Sequence, residues 1–112
     1  MFESRIDQEL QESLNSWEKQ IDFVFSIEEK FFQLEATEDS LFGMLFLKTI
    51  EGSIKEKEAI VNNSSEWRNF QNVLAVKKAE YLKQKRLLEI KAKHFDACYL
   101  SFKINSERVK RG

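Results

Sequence analysis

From Leu74 to Val109 every seventh residue is a large apolar one: Leu74, Tyr81, Leu88, Phe95, Phe102 and Val109. A seven-residue recurrence kept up over this distance belongs to a long helix, because it holds one face towards a left-handed packing partner. A strand would alternate at period two instead. Nothing interrupts the segment, since the chain has no proline and none of its three glycines lies between Glu66 and Lys110. A long helix over about 65–110 follows. The positions that would complete a coiled-coil seam, Lys77, Gln84, Lys91 and Cys98, are mixed in character, so this is not a plain two-stranded zipper.

A second apolar stripe runs through Val73, Val76, Leu87, Ile90, Ala97 and Ile104, roughly opposite the first at about 100° per residue. A helix apolar on two sides asks for more than one neighbour, which predicts self-association. The expected oligomer contacts are Leu74, Tyr81, Leu88, Phe95, Phe102, Ile90 and Ile104.

The first third of the chain follows the same logic. Ile6, Leu10, Leu14, Trp17, Ile21, Val24, Phe31 and Leu34 share one helical face, which predicts a helix over about 3–34. Phe23, Phe25, Ile27 and Phe32 widen its apolar belt. Thr37-Glu-Asp-Ser40 supplies cap-type side chains and reads as a break. A short helix over about 40–51 follows, with Gly43 as the expected mark of a close helix contact. Gly52 precedes Ser53-Ile-Lys-Glu56, a capping box that opens a second short helix over about 53–62. Asn62-Asn-Ser-Ser65 stops it, with Ser64 or Ser65 capping the long helix that follows. The expectation is one all-α domain over residues 1–112: an elongated, coiled-coil-like bundle of two long helices joined by two short ones, and oligomeric.

Several classes fall away. Ten Phe, two Trp and two Tyr among 42% hydrophobic residues are too many core formers for a disordered chain. No apolar run reaches the roughly 18–20 residues of a membrane span, which predicts no membrane partner. Four acids between Met1 and Glu12 are unlike a secretory leader, so a cytoplasmic protein is expected. One Cys and one His cannot form an internal disulfide or an ordinary zinc site. There is no glycine-rich phosphate loop, no nucleophile elbow and no paired-histidine metal motif. His94 and Cys98 stand four residues apart on one helix, without the cleft that nucleophilic catalysis needs. The expectation is a protein that is not an enzyme, with no metal, cofactor or small-molecule substrate.

The net charge of −1 conceals a division of the chain. Met1 to Trp67 holds 6 Lys/Arg against 15 Asp/Glu, and Arg68 to Gly112 holds 12 against 4. Lys77, Lys78, Lys83, Lys85, Arg86, Lys91 and Lys93 put seven cations into 17 residues. Arg108, Lys110 and Arg111 form a second cluster. Neutralising phosphates releases counterions, and exposed rings stack on unpaired bases, so this helix with Trp67 is the candidate site for single-stranded nucleic acid.

Three stretches carry a resemblance: Leu45-Phe-Leu-Lys-Thr-Ile-Glu-Gly-Ser-Ile-Lys-Glu-Lys-Glu-Ala-Ile60, Ser64-Ser-Glu-Trp-Arg-Asn-Phe70, and Ser106-Glu-Arg-Val-Lys-Arg111 with the lysine-rich helix before it. Together they resemble the small all-helical proteins encoded beside phage recombinases, and more distantly the UvsY-type recombination mediators. The resemblance covers about Leu41 to Gly112 and leaves the first helix outside it. It implies an oligomeric protein of the host cytoplasm that binds single-stranded DNA and helps load a recombinase against a single-strand-binding protein. By residue it reaches Trp67, Lys77, Lys78, Lys83, Lys85 and Arg86. The rival expectation is a protein-binding module, an inhibitor or adaptor, that works through its acidic first helix.

Overall fold

A proline-free chain with long apolar repeats leaves the helix only where glycine and capping side chains allow it. The computed structural model describes Phe2 to Arg111, with side chains placed from Arg5 to Val109. Among the described residues there are three helices, α1 (Phe2–Lys48), α2 (Ile54–Asn63) and α3 (Ser65–Arg111). The protein is all-α, two long helices joined by a short one.

That differs from the expected pair of short helices. Thr37 to Ser40 does not break the chain, and the 40–51 segment continues α1 as far as Lys48. The Thr37 hydroxyl donates to the Leu34 carbonyl at 2.8 Å, so this cap-type side chain is absorbed by the helix it was expected to end. Gly43 lies inside α1, and a methyl group in place of its hydrogen would meet nothing within 4 Å, so it marks no close contact.

The real break lies where glycine permits it. Gly52 sits at φ +113°, a conformation that L side chains rarely adopt, and any Cβ there would meet the Glu56 carboxylate at 2.9 Å. Ser53 then caps α2 by accepting from the Glu56 backbone N–H at 3.2 Å. Ser64 serves two helices at once. Its hydroxyl donates to the Val61 carbonyl at 2.7 Å, and it accepts from the Trp67 backbone N–H at 3.2 Å.

The chain packs as two units, one made of the first 26 residues with the stretch from Leu82 onward, the other of Ile27–Tyr81. In the first unit α1 and α3 run antiparallel: Trp17 stacks on Phe95 with centroids 5.2 Å apart, while Gln20, further along α1, bonds Gln84, further back on α3. Ile6, Leu10, Ser13, Trp17, Gln20 and Val24 face Leu88, Lys91, Phe95, Cys98 and Phe102, all of them buried or half-buried. The spacing alternates four and three, a coiled-coil seam. Ser13 is tolerated there because its hydroxyl returns to the Leu10 carbonyl at 2.8 Å.

In the second unit the helices are again antiparallel, with Phe31 beside Tyr81 and Phe42 beside Trp67. α2 lays Val61, the most deeply buried side chain described, into this unit. The Lys57 ammonium sits 5.7 Å above the Phe46 ring.

Tyr81 provides a test of the second unit. Its hydroxyl donates to a Glu28 carboxylate oxygen at 2.8 Å. That bond, then burial, then the Glu28 charge raise its pKa above the ordinary value of about 10. The neutral phenol is therefore favoured by folding. Its contribution is complete below pH about 10 and is lost as pH rises through the raised folded value. Thermal melts of the native chain and of Tyr81→Phe should differ at pH 8 and draw together as the pH rises above about 10. A gap that stays constant would show that the phenol is not held neutral by Glu28.

Candidate nucleic-acid interface

α3 is one uninterrupted α-helix, so the seven-residue register that places its seam also sorts its cations by direction. Lys77 and Lys91 occupy seam positions. Lys78 and Lys85 flank the seam, and Arg86 and Lys93 point directly away from it. Lys83 falls on the opposite flank, among the second apolar stripe.

The structure treats these groups differently. Lys91 is half-buried in the first unit and its ammonium lies 3.5 Å from the Gln20 side-chain oxygen, so it belongs to the packing. Lys77 pairs with Glu80 on its own helix at 3.9 Å. Lys78, Lys83, Arg86 and Lys93 are exposed and have no hydrogen-bond or ion-pair partner among the described residues. Lys83, Lys85 and Arg86 line an open depression with Leu82 and Glu89. Arg108 is exposed, and the side chains of Lys110 and Arg111 lie outside the described residues.

Trp67 does not stand beside these cations as a free ring. It is half-buried in the second unit, edge-on to Phe42 at 5.1 Å and stacked with Phe70 at 5.8 Å. Tyr99 is the exposed ring of the first unit's α3 segment, two heptads beyond Lys85 in the same register position. Exposure sets it apart from Trp67, Phe70 and Tyr81, which are buried or half-buried.

The residues expected to join copies also divide. Leu74, Tyr81, Leu88, Phe95 and Phe102 are buried or half-buried within the chain, covered by α1 in their respective units. Only Ile90 and Ile104 of that expected set remain exposed. The second stripe, not the heptad stripe, is the one α1 leaves open.

The remaining chemistry is sparse. The Cys98 thiol and the His94 Nε2 lie 3.8 Å apart. Both border open grooves of the first unit, shared with Glu9, Glu12, Ser13 and Ser16. Such grooves admit water freely, and no hydrogen bond orients the imidazole towards a third group among the described residues. No group of three or more His, Cys, Asp or Glu among the described residues is placed to hold a metal ion. No described helix is long and apolar enough to cross a membrane. No protein-family model matches the chain, and no curated protein or solved structure is detectably similar to it.

Proposed function

We propose that the chain is a non-enzymatic accessory protein of DNA recombination or replication, holding single-stranded DNA by its phosphates along the outward face of α3. The observation that carries this is the state of the cations. Acidic α1 does not neutralise them: Lys78, Arg86 and Lys93 are exposed without an acid partner among the described residues. Uncompensated cations on the solvent-facing surface of a helix attract a phosphate backbone regardless of sequence, with Tyr99 available for a base to stack on. The resemblance to small phage recombination proteins supports the same role, beside a recombinase and in competition with a single-strand-binding protein.

The test is a fluorescence-anisotropy titration with labelled single-stranded oligonucleotides over a range of salt. Affinity should fall linearly on a log–log salt plot and differ little between oligonucleotide sequences. Changing Lys78, Arg86 and Lys93 together to Glu should weaken binding by on the order of 100-fold at low salt, with an unchanged circular dichroism spectrum. Absence of binding by the native chain at about 50 mM salt overturns the reading. It would favour the rival surface, the exposed acids Glu12, Glu18, Asp22 and Glu29 of α1, as a protein-docking face.

A further inference from the structure

The open stripe of α3 has an internal order. Val73, Val76, Leu87 and Ile90 are all exposed, Val76 at 64% and Ile90 at 56%, and Glu80 and Lys83 stand between the two apolar pairs on the same flank of the helix. Counted from the midpoint between Tyr81 and Leu82, the stripe is self-complementary. Val73 and Ile90 are equidistant from that point, as are Val76 and Leu87, and as are Glu80 and Lys83. We propose that a second copy of the chain packs antiparallel along this stripe, about a two-fold axis at that midpoint. Apolar then meets apolar at both ends, and Glu80 of each copy meets Lys83 of the other.

The charges select the partner and its direction. A parallel, in-register pair would set Glu80 against Glu80 and Lys83 against Lys83. An antiparallel pair moved by one heptad would set Glu80 against Ile90 and Lys83 against Leu87. Only the register centred between Tyr81 and Leu82 satisfies every position, and it does so with one patch used twice, as a two-fold interface requires. Glu80 is available for it: its side chain is 43% exposed, and its contact with Lys77 on the same helix is long, at 3.9 Å. Lys83 has no partner within the chain among the described residues. Lys78 lies on the far side of α3 from this stripe, while Arg86 and Lys93 border it, one turn from Lys83 and Ile90. The oligomer expected from the sequence thus acquires a definite interface, through the stripe that α1 does not cover.

Light scattering coupled to gel filtration, over a range of concentrations, tests this with the full chain. The native protein should reach twice its 13.3 kDa chain mass. Glu80→Lys and Lys83→Glu should each weaken the dimer by at least about tenfold, since each brings like charges together twice. An equimolar mixture of the two variants should dimerise again, because each supplies the charge that the other lacks. Pairing of Glu80 and Lys83 within one helix cannot produce that recovery. A native chain that stays at 13.3 kDa throughout overturns the proposal. So does a mixture no more dimeric than the separate variants, which would leave self-association intact but place its interface elsewhere. DNA binding by the native chain is read separately and does not depend on either outcome.

Discussion

Phe31→Ala should remove a large part of the stability of the fold. Phe31 is 5% exposed and lies between Tyr81, stacked at 5.5 Å, and Phe32 at 5.9 Å. Removing a buried phenyl ring costs about 3–5 kcal/mol through lost transfer energy and the cavity left behind. A domain of this size is stable by only about 5–15 kcal/mol in total. The protein has little to spare, because few of its apolar side chains are deeply buried. Val24, Phe31, Leu45, Val61 and Tyr81 are the only apolar side chains buried among the described residues. Urea unfolding followed by circular dichroism should place the midpoint of Phe31→Ala far below that of the native chain. Phe31→Leu, which keeps most of the volume, should lie between them. Equal midpoints for Phe31→Ala and the native chain would show that the ring does not carry the second unit.

How much of this was legible beforehand depended on whether local chemistry or tertiary contact decided the matter. The heptad of α3 survived because a repeat of that length is a property of the helix itself. The turn at Gly52 survived because a positive φ is a backbone requirement that glycine alone meets cheaply. Thr37 to Ser40 misled, since threonine, aspartate and serine cap a helix or sit within one, and only the neighbouring turns decide which. In α1 the apolar pattern pointed to Leu14 and Ile21. The seam took Ser13 and Gln20 instead, and Ile21 is 39% exposed. A polar side chain at a seam position gives no apolar signal, and its satisfaction depends on a partner dozens of residues away. The same holds for the cations. Composition counted them, while only the fold shows that Lys91 turns inward and Arg86 does not.

Gln20 is also where the second large effect is expected. It is 5% exposed at a seam position where a coiled coil ordinarily places an apolar residue. Its amide N–H groups donate to the Gln84 backbone carbonyl and to the Gln84 side-chain oxygen, both at 3.0 Å. Its own side-chain oxygen lies 3.5 Å from the Lys91 ammonium. Gln20→Leu keeps the volume but strips both partners, leaving a half-buried amide and a half-buried charge unsatisfied. The loss should be about 1–3 kcal/mol, or more if Lys91 cannot reach water. Changing Gln20, Gln84 and Lys91 together to Leu should act in the opposite direction. With the polar layer gone and an apolar one packed in its place, stability should rise by about 1–4 kcal/mol. What should be lost is uniqueness, because a buried polar layer penalises every register that separates its members. The triple variant is expected to melt at higher temperature than the native chain, yet elute as several oligomeric species. A triple variant less stable than Gln20→Leu would contradict the energetic argument. A more stable one with an unchanged oligomeric state would show that the apolar layers alone set the register, and that Gln20 merely occupies its place.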